Sequence, residues 1–589
     1  MNKKLVGFLA IIAALGFLGL CAVVAMSFFG SYGKGSVPRK IVLEADFEQS
    51  LEEYVADEPI AKAFGAEQPT TRDIVDALDR AAKDDRVFGL VARVGAAPMG
   101  LAQIQEIRDA IGRFRAAGKP AVAWSETFGE FGTGNGAYYL ATAFETIYLQ
   151  PSGDVGLTGL MYESPFIRSM LDKLDVVPRM DHRYEYKNAM NMYTETKFTE
   201  AHQEAMKVLM ESQFGQIVSG IAAGRKIPSA EVRALFDAGP YLGQQAVDAK
   251  LVDALLYRDE VYDKFKKQAG EDAKLLYLGK YLERAGRPHD DGAKIALVYG
   301  VGAVQRGDGG FSPLSGSAMG SDTVSAALRA AREDDDVKAI IFRIDSPGGS
   351  YVASDTIWRE TQLCRAAGKP IIATMGNLAG SGGYFVAMGA DKIVAQPGTI
   401  TASIGVLGGK LLTKGFWDRL GITWDEVHTS DNGTMFTGVS DYTPKEWDKF
   451  QQWLDRVYAD FTTKVAEGRN LPKEKVLEIA KGRIWTGEDA KRLGLVDALG
   501  GLDVALDLAK EAAKIPADKD VRIVLFPKKK TLLEALSQQS PDNSEGEAWT
   551  RAFVTLAREL RPAVAVLRQV GLDGRAPGVL TMPPVVPER

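Results

Sequence analysis

The chain repeats itself at long range, and no other feature limits the folds open to it as strongly. VDALDRAAKDDRVFGLVARV, starting at Val75, lies over SAALRAAREDDDVKAIIFRI, starting at Ser325, at an offset of 250 residues, with seven of twenty positions identical and three more pairing aliphatic residues. Register holds through AAGKP, which precedes both Ala121 and Ile371, and resumes at an offset of 246 where LQPSGDVGLTG meets AQPGTITASIG. GQQAVDAKLVDAL and GEDAKRLGLVDAL then echo each other near the two ends. Chance similarity does not keep register over such a distance, so the chain is read as a tandem duplication. At 589 residues it is also too long for a single hydrophobic core.

Each half alternates short aliphatic runs with helical patterns. KAIIFRI is short and β-branched, as a buried parallel strand should be, whereas VSAALRAARE has helical spacing. An α/β fold with crossover connections follows. The first half is placed at 37–285 and the second at 290–515, with a C-terminal extension over 516–589 that holds a KKK run at Lys528, a polar stretch near Ser540 and a Pro-rich end. In that extension Trp549, Phe553, Leu556 and Leu560 fall at three- and four-residue steps, the pattern of an amphipathic helix packed on its own protomer or on a membrane surface.

Residues 1–36 form a separate segment. Leu5 to Phe29 carries no charge and follows Lys3 and Lys4. As a helix it would be roughly 37 Å long, enough to cross a hydrocarbon core of about 30 Å. The basic flank predicts a single-pass anchor with its N-terminus in the cytoplasm and the rest of the chain outside. The apolar stretch is longer than the core of a cleaved signal peptide, and no A-x-A site follows it. Basic and acidic residues, 71 against 77, are well mixed, so no surface for nucleic acid is implied. Cys21 and Cys364 are the only cysteines, which leaves no disulfide within the exported region.

Chemistry concentrates in the second half. IDSPGGS, from Asp345 to Ser350 within it, and AGSGGYF, Ala379 to Phe385, follow predicted strands, where sites of parallel α/β sheets gather. Glycines there admit a substrate backbone and leave main-chain N–H groups free for an oxyanion. Ser381, between glycines and ahead of YFVAMGA, has the setting of an exposed nucleophile, although GSGG can also be a plain turn. The repeat separates the two readings. The matching first-half turn, GTGNGAYY, has Asn135 opposite Ser381, and GAAPMG stands in place of DSPGG, so one half has lost the features a nucleophile would use. The chain has four histidines, His182, His202, His289 and His428, of which His182 and His428 fall at equivalent places and suggest a shared structural role. Lysine is the alternative base, provided burial lowers its pKa enough for a neutral amine to exist.

IDSPGGS, MGNLAGSGGYFVAMGADKI, TITASIGVLGG and the WTGEDAKRLGLVD segment resemble the signature run of the signal peptide peptidase A family in its long tandem form, and the resemblance spans essentially the whole chain, anchor included. It implies two tandem ClpP/crotonase-like domains after a transmembrane helix, and a Ser-Lys peptidase whose serine lies in the second repeat and lysine in the first. Ser381 is then the nucleophile and Lys187, in RYEYKNAMNMYTE, its general base. The second-half loop VHTSDNGTMFTGVSDYT has no lysine, so each half keeps what the other lacks. Lys197 and Lys410 remain as alternatives. Gly349 and Gly382 would supply the oxyanion N–H groups and Ser403 would orient the amine, unless it only satisfies its own turn.

The resemblance further implies peptide substrates, signal peptides among them, held near the inner-membrane lipid on the periplasmic side, and a ring-like homo-oligomer, with a tetramer among the forms open to it. No cofactor or metal is expected, since the sequence has neither a His/Cys cluster at ligand spacing nor a phosphate loop. Two other functions stay open: an acyl-CoA hydratase or thioesterase of crotonase type, and a catalytically silent scaffold.

Overall fold

A computed structural model describes residues 35–55, 68–96, 98–312, 316–527 and 580–581. The anchor stretch Leu5 to Phe29, the KKK run and the Trp549–Leu560 pattern lie outside these residues. Among the described residues no helix is long and apolar enough to cross a membrane.

Two sheets with the same internal order organise the chain. In the first, all strands are parallel, in the order Ala254–Leu255, Thr146–Leu149, Ala121–Ser125, Val87–Arg93, Ile41–Asp46, Lys274–Tyr277. The second repeats this path as Ala498–Leu499, Lys392–Ala395, Ile371–Gly380, Val337–Ser346, Ala293–Val301, Val521–Phe526. Its edge strand, Val521–Phe526, lies beyond residue 515, so the second sheet reaches into the stretch read from the sequence as a C-terminal extension. A strand of six residues after a Pro-Ala-Asp-Lys-Asp turn is too short to separate from a tail without its partner strand.

Central strands are aliphatic on both faces because helices cover both sides. Val337–Ser346 has Ile340, Ile341, Phe342 and Ile344 fully buried, yet it also carries the buried Arg343. Helix boundaries follow capping chemistry. Thr70 and Asp73 close a capping box on Thr71–Ala82, Ser350 caps Tyr351–Ala366, and Thr443 with Glu446 and Pro444 starts the 26-residue helix Pro444–Arg469.

The second repeat forks more fully than the first, where Asp154–Val155, paired antiparallel with Tyr241–Leu242, meets the continuation of the central strand only through the single Phe128–Val155 bridge. Ile371–Gly380 pairs first with Lys392–Ala395 and then, over Leu378 to Gly380, with Ile400–Ala402, which in turn pairs antiparallel with Ile484–Thr486. The strand therefore runs on to the residue before Ser381, and the helix Gly382–Ala387 starts immediately after it. The glycine-rich run expected as a loop is thus a strand-to-helix junction.

The repeats meet across a polar, partly buried joint. Arg343 lies between Glu53 and Glu106 at 2.6 and 2.7 Å, with all three side chains under a tenth exposed. The Gly398 N–H donates to Gln105 Oε1 at 2.7 Å, the Gln103 N–H to Asn377 Oδ1 at 3.0 Å, and Arg113 pairs with Asp503 at 2.7 Å. A two-stranded ribbon forms a second joint, where Val177–His182 pairs antiparallel with Leu407–Leu412.

Candidate active site

Ser381 sits at the junction described above with φ 54° and ψ −112°, a conformation that side-chain-bearing residues rarely adopt. Several bonds hold it there. Its N–H donates to the Ala402 carbonyl at 2.7 Å, Thr401 Oγ1 to the Ala379 carbonyl at 2.8 Å, and the Phe385 N–H closes the first helical turn on the Ser381 carbonyl at 2.9 Å. The helix behind it is pinned by Tyr384, whose hydroxyl donates to the Leu495 carbonyl at 2.9 Å. A strained turn between a rigid strand and a buried helix is how a fold aims one side chain and keeps it aimed.

Lys187 arrives from the other repeat. The ribbon brings Val177–His182 alongside Leu407–Leu412, and the Arg183 N–H continues onto the Val406 carbonyl at 3.0 Å. The Tyr186 N–H then donates to the Lys481 carbonyl at 3.2 Å. Gly482, at φ 82°, lies so close that a Cβ there would stand 2.6 Å from the Lys187 main-chain nitrogen and Cβ. Lys187 is buried, and its Nζ meets Ser381 Oγ at 2.8 Å, Ser403 Oγ at 3.0 Å and the Ser403 carbonyl at 3.0 Å. All three partners are uncharged oxygens. Burial pushes the amine well below the usual lysine range, toward the neutral form.

The two glycine runs converge beside this pair. The Ser346 hydroxyl donates to the Gly302 carbonyl at 2.6 Å and accepts from the Gly348 N–H at 3.2 Å, which fixes the SPGG turn. Gly349 takes φ 157° against Val304, and a Cβ there would stand 2.1 Å from the Val304 carbonyl oxygen. A Cβ on Gly382 would come within 3.0 Å of the Gly349 nitrogen. Both positions need glycine for close approach, and the two main chains are neighbours next to Ser381. On its far side Gly348–Gly349 pairs antiparallel with Leu580–Thr581.

The structure therefore brings together Ser381, Lys187, Ser403, Gly349 and Gly382, and it separates them from the other bases considered. Lys197 is exposed. Lys410 is half-buried elsewhere, with its ammonium 4.1 Å above the Tyr442 ring and donating to the Met435 carbonyl at 3.0 Å. His182 and His428 do not share an environment: the first ends the ribbon strand, and the second is exposed with Nδ1 2.8 Å from the Ser430 carbonyl. In the place equivalent to Ser381, Asn135 is a cross-link, its amide nitrogen donating to Thr133 Oγ1 and the Gly159 carbonyl at 2.7 Å each, and its oxygen accepting from the Thr158 N–H at 3.1 Å.

Sequence reasoning missed the buried charges on the strand that leads into the SPGG turn. Asp345, which opens the SPGG turn, is held by the Leu378 N–H at 2.9 Å, and burial, reinforced by the Glu53 carboxylate, pushes its carboxyl up to about 7. Arg343 within the aliphatic run KAIIFRI was the available signal, since a charge in a buried strand needs a partner.

A serine hydroxyl held against a buried lysine amine that burial pushes toward its neutral form, in an α/β fold, is the arrangement a serine hydrolase without a catalytic histidine would need. The comparisons narrow the class. The model for peptidase family S49 matches residues 113–272 and 364–516. Protease 4 of Salmonella typhi is 34% identical over 456 residues, covering 75% of this chain and 72% of the relative. Protease 4 of Haemophilus influenzae is 30% identical over 541 residues, covering 86% and 85%. The chloroplastic serine protease SPPA of Arabidopsis thaliana is 31% identical, covering 77% and 67%. Among solved structures, a mutant of ClpP1 from Listeria monocytogenes aligns with 36% of this chain and 94% of its own at 14% identity and a TM-score of 0.24. The chain belongs to peptidase family S49 and is a serine peptidase.

Proposed function

We propose that the chain is a membrane-anchored signal peptide peptidase that uses Ser381 as nucleophile and Lys187 as general base. The observation that carries this reading is the 2.8 Å contact between Lys187 Nζ and Ser381 Oγ in a buried setting whose amine is driven toward neutrality. Neutral Lys187 takes the Ser381 proton as Oγ bonds to the peptide carbonyl carbon, and the oxyanion is met by the Gly349 and Gly382 N–H groups. The resulting ammonium gives its proton to the leaving amine as the C–N bond breaks. Water, deprotonated by Lys187, then attacks the acyl ester, and the proton returns to Ser381 Oγ. Ser403 keeps the amine turned toward Ser381 throughout.

The remaining parts of the reading rest on the sequence and the relatives' names. Residues 1–36 are a single-pass inner-membrane anchor, 37–285 and 290–515 are ClpP/crotonase-like repeats on the periplasmic side, and 516–589 is an extension whose first strand joins the second sheet. Signal peptides left in the membrane, and other membrane-associated exported peptides, are the substrates. The chain works as a homo-oligomer.

Hydrolysis of a fluorogenic apolar peptide by the detergent-solubilised chain tests the chemistry, with Ser381→Ala and Lys187→Ala alongside and folding checked by circular dichroism. Turnover is expected to vanish in both. Full turnover in Ser381→Ala would overturn the nucleophile, and turnover of acyl-CoA instead of peptide would favour a crotonase-type reading.

A further inference from the structure

Asp345 stands immediately before the SPGG turn, and the sheet breaks register beside it. Pairing between Val337–Ser346 and Ile371–Gly380 passes from Ile344↔Met375 to Ser346↔Ala379, so Gly376, Asn377 and Leu378 all fall opposite Asp345. The Asp345 side chain supplies a bond that this bulge takes from the main chain, its Oδ1 accepting from the Leu378 N–H at 2.9 Å. The rest of the bulge is tied elsewhere. The Gly376 carbonyl accepts from Thr399 Oγ1 at 2.8 Å, and Asn377 Oδ1 accepts from the Gln103 N–H of the first repeat at 3.0 Å. Leu378 lies three residues before Ser381, and Asp345 four before Gly349. One carboxyl thus links the strand that carries the nucleophile to the turn that carries an oxyanion N–H.

Charges crowd this carboxyl from several elements. Glu53, ahead of the first helix of the first repeat, reaches the same glycine: a Cβ on Gly376 would stand 3.1 Å from Asp345 Cγ and 3.3 Å from Glu53 Oε2. Glu52 precedes it, Arg343 lies on the same strand as Asp345, and Glu106 projects from helix Leu101–Ala116. On the neighbouring strand burial pushes the Tyr299 hydroxyl up, which keeps it neutral, and Arg72 of helix Thr71–Ala82 is paired with Asp76 at 3.2 Å. Arg343 has no N–H left for Asp345. Its Nε and Nη2 donate to Glu53, Nη1 and Nη2 to Glu106, and Nη1 to Thr374 Oγ1. Three ionised carboxylates around one guanidinium would leave two charges uncompensated in the joint. Burial pushes Glu106 up as well, but it keeps Arg343 and the Leu502 N–H at 2.8 Å, so Asp345 has the least to stabilise its anion. Glu53, Glu106 and Arg343 are under a tenth exposed, whereas Asp345 is only partly covered and can exchange a proton with water.

We infer that Asp345 is a positioning residue that holds a proton in the active chain, and that its ionisation loosens the bulge and with it the alignment of Ser381 on the oxyanion N–H groups. As a neutral acid it accepts the Leu378 N–H without adding charge. As an anion it faces Glu53 beside Gly376 with no cation to share, and like charges at that range push apart. Glu53 belongs to the first repeat and Asp345 to the second, so the repulsion falls on the joint between the repeats, which also has to bring Lys187 to Ser381. Activity is then governed by two titrations of opposite sign, with Lys187 required neutral and Asp345 required protonated. The kinetic part of this inference rests on the proposed Ser381–Lys187 chemistry, and the protonation part does not.

Two measurements on the full detergent-solubilised chain separate these parts. Asp345→Asn fixes the neutral form and keeps an acceptor for the Leu378 N–H, and the ratio of its kcat/KM to the parent's cancels the Lys187 titration. The Asp345 carboxyl is pushed up to about 7, so roughly one parent molecule in ten is still protonated at pH of about 8. The ratio is expected near one at pH of about 6 and about tenfold at pH of about 8, with the change in kcat. Asp345→Ala strands the Leu378 N–H and is expected to lose kcat about tenfold or more at both pH values. The second measurement is Tm against pH in a Ser381→Ala background, with and without Asp345→Asn. Between the usual carboxylate value of about 4 and about 7 the folded chain keeps a proton that the unfolded chain has released, so stability from this site is lost as pH rises through that window. The Tm gain from Asp345→Asn should grow across the window and level off above it. A gain independent of pH overturns the proton, and a kcat/KM ratio that does not change with pH overturns the positioning role even where the Tm gain appears. The Tm series needs no turnover, so its failure and a failure of the dyad assignment are read separately.

Discussion

Ser403→Ala isolates the part of the site that aims the base. A neutral amine has two N–H groups and one lone pair. The Ser403 carbonyl can only accept, so it takes one N–H at 3.0 Å, and Ser403 Oγ takes the other at 3.0 Å. The lone pair is then left facing the Ser381 hydroxyl at 2.8 Å, which is the orientation proton abstraction needs. Removing the hydroxyl leaves one N–H without a partner in a buried site and lets the amine turn. A lost hydrogen bond costs about 1 kcal/mol net, and up to about 3 where a donor is stranded. At about 1.4 kcal/mol per decade, kcat/KM is expected to fall about 5- to 150-fold, with the loss in kcat. Ser403 sits at φ 52°, so Ser403→Gly supplies the control: the same hydroxyl is lost while backbone strain of roughly 1 kcal/mol is relieved. Steady-state peptide hydrolysis, normalised by active-site titration with a serine reagent, should show equal rate losses in the two variants and a higher Tm for Ser403→Gly. Unchanged kcat/KM in Ser403→Ala, or a rate retained in Ser403→Gly, would refute the reasoning.

Three further predictions follow from the same geometry. Burial holds Lys187 well below its ordinary pKa, so the folded chain binds fewer protons than the unfolded one between that depressed value and the ordinary lysine value; stability contributed by this site therefore rises with pH across that window and falls as pH drops through it. Lys187→Met should raise Tm at neutral pH, by a margin that narrows toward pH of about 10, while the parent's log kcat/KM shows an acid limb with an inflection well below the lysine range. Gly482→Ala, at φ 82° and 2.6 Å from the lysine main chain, should displace Lys187 and lower kcat about tenfold or more without touching either dyad residue, read by the same peptide assay. Arg343→Met strands two buried carboxylates and should cost about 3 to 5 kcal/mol in urea unfolding, with partial recovery when Glu53→Gln and Glu106→Gln are added.

What could be read from the amino acids was whatever the duplication doubles. Paired copies of the same pattern exposed the α/β alternation, and the difference between GTGNGAYY and AGSGGYF pointed to Ser381, because a turn kept for structure alone has no reason to differ there. Lys187 came from the family resemblance and from the missing lysine in its counterpart loop. The rest depended on contacts between distant segments. The strand extending to Gly380 is stabilised by Ile400–Ala402, twenty residues on, and the Gly482 approach to Lys187 joins positions almost three hundred residues apart. Lys410 stayed open as a base because the aromatic face that shelters it belongs to Tyr442, outside its own strand. Val521–Phe526 was misplaced for a similar reason, since its partner Ala293–Val301 precedes it by more than two hundred residues.

The asymmetry between the repeats explains why the first half cannot act alone. At its position equivalent to Ser381, the Asn135 amide ties Thr133, Thr158 and Gly159 together, so the volume a substrate carbonyl would need is crossed by protein hydrogen bonds. GAAPMG offers no glycine pair for an oxyanion, and the counterpart of Lys187 is Gly433, an exposed residue with no side chain to act as a base. Restoring the hydroxyl alone should therefore do nothing. In a Ser381→Ala background, Asn135→Ser is expected to leave peptide hydrolysis at the level of Ser381→Ala and to lower Tm, because three hydrogen bonds are lost and none is gained. Covalent labelling of this double variant by a fluorophosphonate at position 135, or any turnover that survives Lys187→Ala, would show that the first repeat holds a base the structure does not place there.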